Sequence, residues 1–484
     1  MDDGGLPAVL SSPVLFTDAE FLYAFLPAFL GLYYLAQERF RPWIIAAFSY
    51  GFYAWWRPDF VILMWASTVL DYSAGRGIGR AQRLATFTAE EGARRPGRSW
   101  VWLSCLGNLG LLAYFKYANF GVDTLNGLLA QFGEPPVAWT AVILPVGISF
   151  YTFQSLSYTV DIYRGDAEPV RRFRDFACYV SMFPQLVAGP IVRYRSMGQQ
   201  LVERTHSMRL FGMGVLFFQA GLAKKVLLAD SLAPVAQSAF GSDSLTTVGA
   251  WLGALSYTFQ LYFDFSGYSD MAIGLGLMIG FRFPVNFDRP YASRSITEFW
   301  RRWHISLSSF LRDYLYIPLG GNRKGGARTY VNLSLTMLLG GLWHGAAWTF
   351  IAWGAYQGFW LVLERLAGRR TLYQRLPSAL RLLLTFLLVV IGWVFFRADS
   401  MAQAGQMLAS MAGWTGSSAG DVTISGSAAA ALAAAAAVTW GLPSTQALVA
   451  RRSALWMLLL QLAFAATLIA LHSADHVPFL YFQF

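Results

Sequence analysis

Apolar runs long enough to cross a bilayer dominate this chain, and short basic loops part them. The runs cover approximately 20–38, 42–56, 59–75, 100–116, 138–162, 209–230, 248–281, 329–363, 379–397, 425–447 and 454–471. Hydrocarbon offers no water to backbone donors and acceptors, so a run of about 20 residues must satisfy its own by coiling into an α-helix. Only 13% of the 484 residues are charged, and 18 are tryptophan. Soluble proteins carry roughly 25% charge, and tryptophan suits the two membrane interfaces. The expected fold is an all-α polytopic membrane protein of about 11–12 spans, with residues 1–484 forming a single membrane-embedded domain.

The loops alternate in charge. Arg39 and Arg41 follow the first run, six arginines fill 76–98, and Arg164, Arg171, Arg172 and Arg174 follow the fifth. Arg365 to Arg381 follow the 329–363 run, and Arg451 and Arg452 precede the last. The intervening loops 117–137, 231–247 and 398–424 hold no Lys or Arg. The positive-inside rule then puts the basic loops in the cytoplasm and both termini outside. The first 19 residues contain Asp2 and Asp3 but no Lys or Arg, which is the wrong start for a cleavable signal peptide. The net charge of +10 belongs to these loops and argues for a membrane lipid partner, not for nucleic acid. Lys224 and Lys225 break the pattern, lying late in a span that should end outside; snorkelling, or a span shorter than drawn, would accommodate them.

Two segments depart from simple spans. Residues 176–192 hold Pro184, Gly189 and Pro190 between basic flanks, which reads as re-entrant. The 329–363 run starts and ends beside basic loops, so it is a hairpin. Two full spans need about 40 residues plus a turn. Its turn, with Gly340, Gly341, Gly345, Trp343 and Trp348, is therefore expected at membrane depth.

His344 falls in that turn. An ionisable group there is costly and marks a functional candidate. His304 lies in Trp303-His-Ile-Ser306, and two imidazoles near one apolar hairpin suit proton transfer or carbonyl polarisation. His206 is expected to be solvated in a polar loop. Asp264 and Asp270 interrupt a long apolar run, with Ser266 and Tyr268 between them. They either line a polar tunnel and orient a histidine, or pair with arginines or cap a broken helix. The stretch 282–328 is amphipathic and rich in Arg and Trp, placing it at the cytoplasmic face. There Arg302, Arg312 and Arg323 are candidates to hold a phosphorylated donor; attraction to lipid headgroups is the plainer role. Cys105 and Cys178 read as small core residues. No Cys/His cluster has metal spacing, so no metal is expected, and no Walker-type glycine loop is present.

These motifs resemble those of the membrane-bound O-acyltransferase family, in its bacterial alginate O-acetylation branch. The resemblance rests on Asp264-Phe-Ser-Gly-Tyr-Ser-Asp-Met271, Phe281-Arg-Phe-Pro-Val-Asn-Phe287 and Ser295-Ile-Thr-Glu-Phe-Trp-Arg-Arg-Trp-His-Ile-Ser306. It continues through Leu311-Arg-Asp-Tyr-Leu-Tyr-Ile-Pro-Leu-Gly-Gly-Asn-Arg323 and Leu338-Leu-Gly-Gly-Leu-Trp-His-Gly-Ala346, and is strongest over about 255–360. It implies a bundle with re-entrant and interfacial helices around a transmembrane tunnel, with the family's essential histidine at His344 and a second active-site residue at His304. Trp303, Trp343 and Asn322 join Asp264, Ser266 and Tyr268 as tunnel-lining or orienting candidates. Many relatives carry a polar residue where this chain has Ala347, which bears on the acyl group or acceptor.

The expected reaction is acetyl transfer across a bacterial inner membrane. The donor substrate is acetyl-CoA or another acyl thioester, with no bound cofactor. The acceptor is an exported polysaccharide, reached directly or through periplasmic acetyltransferase partner proteins. His344 would act as general base, and His304 would position the donor or polarise its carbonyl. The aromatic tail Pro478-Phe-Leu-Tyr-Phe-Gln-Phe484 resembles the ending of the same branch, which makes Tyr481 a candidate acyl relay; composition alone reads the tail equally well as an interfacial anchor. The alternative is a proton-coupled transporter or flippase for a polymer or lipid-linked sugar. Inverted repeats would favour it, and the sequence shows no convincing one. A third reading, a non-catalytic scaffold subunit of a polysaccharide synthase, leaves the depth of His344 unexplained.

Overall fold

The computed structural model describes residues 15–88, 96–242, 244–368, 375–414, 422–451, 453–473 and 479–480. The chain divides into two compact units, Met1–Gly214 with Leu275–Phe283, and Val215–Gly274 with Pro284–Phe484.

Helices Glu20–Leu35, Arg41–Ala54, Asp59–Thr88, Arg98–Gln131 and Ile148–Arg164 build the first unit. Two of them overrun the apolar segments that mark them. Asp59–Thr88 continues through the start of the basic 76–98 loop, and Arg98–Gln131 continues through most of 117–137. Hydropathy marks where hydrocarbon ends, whereas a helix ends where its backbone partners run out. The 138–162 run is shorter than drawn, because its helix starts at Ile148. Gly147 precedes it at φ 75°, and a Cβ there would meet the Leu186 carbonyl oxygen at 2.6 Å.

The segment read as re-entrant forms two short helices, Phe173–Ser181 and Phe183–Leu186, and is buried from Phe176 to Val192. Phe183 packs edge-on against Phe16, Phe21, Phe25 and Phe29. Buried Asp71 accepts hydrogen bonds from Ser104 (2.5 Å) and Asn108 (2.9 Å), so this carboxylate is satisfied inside the bundle. His206 is not a solvated loop residue. It is half-buried, 2.9 Å from the Tyr33 hydroxyl. Burial, then the Arg41 and Arg204 cations, hold its pKa below the ordinary imidazole value.

Helix Met208–Ala223, which belongs to the second unit from Val215 on, passes through the wider turn Lys224–Asp230 into Ser231–Phe240. Pro234 explains the widening, since its ring clashes with the carbonyl four residues back, that of Asp230. Thr247–Met278 has 32 residues, about 48 Å at 1.5 Å per residue, more than the hydrocarbon thickness. The hairpin is observed as Gly326–His344 and Trp348–Ala367, with its turn at 345–347. Its legs cross through glycine. A Cβ on Gly341 would strike the Phe350 carbonyl oxygen, and one on Gly354 would strike that of Met337.

Among the described residues, Met208–Phe240, Ser378–Arg397 and Ala454–His472 are long and apolar enough to cross a membrane by length and composition alone. The pair Gly426–Gly441 and Thr445–Arg451, bent by 70°, makes a fourth if taken as one span. Other long helices dilute their apolar runs with buried polar residues such as Asp71, Asn108 and Asp264.

Candidate active site

Both histidines flagged by the sequence lie in the second unit, within one cluster of aromatic side chains. His344 ends the helix Gly326–His344 and is buried. Its ring meets Trp343 at 5.0 Å, Trp353 at 5.2 Å and Phe396 at 5.2 Å between centroids. His304 is fully buried, 6.3 Å from His344 ring to ring. It sits where Ile296–Arg302 breaks and Ile305–Leu311 begins, with left-handed backbone at φ 42° and ψ 54°. That conformation costs a residue with a side chain about 1–2 kcal/mol, so the surrounding bonds must hold it.

The break is fixed from both ends. Ser295 caps the first short helix by accepting from the Glu298 amide at 3.0 Å, and Glu298 accepts in return from the Arg294 amide. Glu364, on the hairpin, accepts from the Ile296 and Thr297 amides at 2.6 and 2.9 Å. Past the break, the Ile305 amide donates to the Asn286 carbonyl at 2.9 Å.

Asn286 also sets the chemistry of His304. Its side-chain oxygen accepts from the Ser306 backbone N–H (3.3 Å) and hydroxyl (2.9 Å), while its amide donates to Ser269 (3.0 Å). A backbone N–H can only donate, so the atom facing it is the oxygen. His304 Nδ1, 3.0 Å from that oxygen, must then carry its hydrogen. The neutral imidazole is left with a lone pair on Nε2, which has no hydrogen-bond partner among the described residues. Burial in this connection between spans pushes the His304 pKa down to about 3. The ring is therefore an acceptor, not an N–H donor, at Nε2.

Leu261, Asp264, Phe265, Trp303, His344, Trp353, Trp393, Phe396, Phe479 and Leu480 enclose a cavity of about 20 Å³, room for roughly one water. Trp303 is held by the Trp393 ring at 4.8 Å, and Trp393 donates to the Tyr291 hydroxyl at 3.1 Å. The tail reaches this cavity. The Leu480 amide donates to Asp264 at 2.9 Å, and Phe479 packs on Tyr268 at 4.7 Å. Tyr481 lies outside the described residues.

The aspartates find lysine, not arginine, as their partner. Lys225 is 2.7 Å from both Asp264 and Asp230, and Lys224 is 2.6 Å from Asp270 and 2.7 Å from the Thr445 hydroxyl. The two lysines therefore do not snorkel; they neutralise buried carboxylates. The other sequence candidates divide. Trp303 borders the cavity, and Trp343 packs near both histidines, 6.2 Å from His304 and 5.0 Å from His344. Ser266 is buried on the same helix as Asp264 but does not border the cavity, and Asn322 is exposed in the turn after Tyr316. Arg302 pairs with Glu298 at 2.8 Å and Arg312 with Asp313 at 2.6 Å, both at the surface, and Arg323 is exposed. Asn286 is the residue that sequence reasoning missed: it stood in a quoted motif with no role attached.

The profile described as MBOAT, membrane-bound O-acyltransferase family, matches residues 172–400, which contain both histidines. The probable alginate O-acetylase AlgI of Azotobacter vinelandii is 54% identical over 399 residues, covering 82% of this chain and 78% of that protein. The protein of the same name from Pseudomonas putida is 53% identical over 399 residues, covering 82% and 80%. A peptidoglycan O-acetyltransferase of Helicobacter pylori is 38% identical over 439 residues, covering 83% and 80%. The chain belongs to the membrane-bound O-acyltransferase family and is an all-α, multi-pass membrane O-acyltransferase.

Proposed function

We propose that the protein moves acetyl groups from cytoplasmic acetyl-CoA across a bacterial inner membrane, for O-acetylation of an exported polysaccharide such as alginate. The observation that carries this reading is the pair of buried imidazoles 6.3 Å apart, His344 bordering the cavity and His304 held with a bare acceptor nitrogen. The relatives' names support the acetyl group and the polymer class. The charge alternation supports a cytoplasmic donor side and termini outside.

In the proposed step His344 takes the proton of an acceptor hydroxyl. The oxygen attacks the thioester carbonyl, the tetrahedral adduct collapses, the C–S bond breaks, and the thiolate leaves and is protonated to free CoA. His304 Nε2, lacking a hydrogen, suits orienting the acceptor hydroxyl better than polarising the carbonyl, which needs an N–H. The small cavity is then the waist of the family's tunnel, narrowed by Phe479 and Leu480. Asn286→Leu should lower kcat roughly tenfold or more by leaving the His304 ring without its anchor. KM for acetyl-CoA should change little. An unchanged kcat in a folded variant would remove Asn286 from the mechanism.

Tyr481 follows directly on two residues that line the cavity, so we place the acceptor hydroxyl there. The tyrosine ester would pass the acetyl group to periplasmic partner proteins or to the polymer. Purified protein incubated with acetyl-labelled CoA should retain label that alkali releases as acetate. Tyr481→Phe, which loses only the hydroxyl, should retain none. Equal labelling of the variant would rule out the relay.

A further inference from the structure

A second cavity in the same unit, about 280 Å³, is bordered by neither histidine. Its wall is mostly apolar, with Leu227, Phe263, Leu459 and Leu460 among the residues, and no carboxylate borders it. Helix Ala454–Ser473, which forms one side, is the least buried of the membrane-length helices; only 11% of its apolar window is covered by protein. The 70° break between Gly426–Gly441 and Thr445–Arg451 forms another side. The break is clamped on both flanks by cations. Arg289 donates to the Trp440 carbonyl at 3.0 Å, and Lys224 to the Thr445 hydroxyl at 2.7 Å.

The polar atoms around this cavity are not all spent. Arg289 Nε, the Trp456 indole N–H and the Thr439 hydroxyl are buried and make no hydrogen bond among the described residues. Thr439 is 2% exposed. Lys224 has Asp270 for a counter-charge, but Arg289 has no carboxylate partner among the described residues. Arg289 and His304 are also the two non-glycine residues at positive φ among the described residues, at 49° and 42°. A guanidinium held beside an apolar chamber without a counter-ion calls for an anion that brings hydrocarbon with it.

We propose that this cavity binds one membrane phospholipid, with its phosphate between the Arg289 guanidinium and the Trp456 N–H and an acyl chain along Leu459 and Leu460. Charge complementarity and the open face of Ala454–Ser473 favour a lipid over a water-soluble phosphate. The size sits near the lower end for ligand pockets, so it takes the headgroup region and part of one chain. Nothing in this assignment depends on the transfer chemistry.

The test uses delipidated full-length protein in dodecyl maltoside, titrated with phosphatidylglycerol and read by native mass spectrometry. One tightly held lipid per chain is expected. Arg289→Gln and Trp456→Phe should each weaken it about tenfold. The tryptophan variant keeps the ring and removes only the donor, so it tests the site even if Arg289→Gln misfolds. Diacylglycerol, which lacks the phosphate, should bind at least tenfold more weakly than phosphatidylglycerol. Equal binding of diacylglycerol would reduce the cavity to an apolar crevice. Binding of glycerol phosphate as tight as that of the lipid would make it a soluble-anion site. Unchanged affinity in the Trp456→Phe variant, or no retained lipid in the parent, would also overturn the proposal.

Discussion

His344→Ala is expected to lower acyl transfer by about 10²–10⁴-fold, the range lost with a general base, while the protein still inserts and purifies as a folded species. The imidazole is packed by Trp343, Trp353 and Phe396, and its removal leaves a hole as well as a missing base. Truncating the ring could therefore act through packing. His344→Gln separates the two, because it retains volume and hydrogen-bonding capacity but cannot take up a proton near neutral pH. Both variants should lose self-labelling by acetyl-CoA to a similar extent, at matched gel-filtration profiles. Near-normal turnover in His344→Gln would move the base elsewhere, and His304 would be the next residue to test.

Lys225→Met should be the most destabilising of the substitutions considered. Lys225 is the shared counter-charge of Asp264 and Asp230, at 2.7 Å from each, with 4% of its side chain exposed. Taking one partner from a buried ion pair typically costs about 3–5 kcal/mol, because the remaining charge is stranded. The loss should also reach the tail, whose Leu480 amide rests on Asp264. Thermal unfolding in detergent would show a lower and broader transition. Adding Asp264→Asn should restore part of the loss, since the amide oxygen still accepts from Leu480 without demanding a cation. Two single variants whose effects simply add would argue that the pair is not coupled.

Much of this architecture was legible because ionisable residues are scarce in apolar runs. His344 and Asp264 each stood out by contrast, His304 by its motif beside the hairpin, and the hairpin followed from its length and its basic flanks. The lysine partners were not legible in the same way. Lys225 and Asp264 are distant in sequence, and a helical pattern does not say which faces meet. Yet two adjacent lysines fall in one apolar run and Asp264 and Asp270 in the next, and buried charges rarely remain unpaired. The surface arginines show the opposite case. Arg302 lies four residues after Glu298, and Arg312 directly before Asp313; the first spacing already implies a helical ion pair. Asn286 could not have been singled out, because its role depends on a three-dimensional meeting with Ser306 and His304.

The left-handed backbone at His304 also bears on any attempt to engineer this protein. Glycine is the residue that suits such a φ, and replacing a strained side chain by glycine commonly relieves the fold. A screen that rewards yield or heat tolerance alone would therefore favour losing the histidine, enriching robust molecules with nothing left to catalyse. Stabilisation by selection has to be paired with a functional readout, or position 304 has to be held constant from the outset.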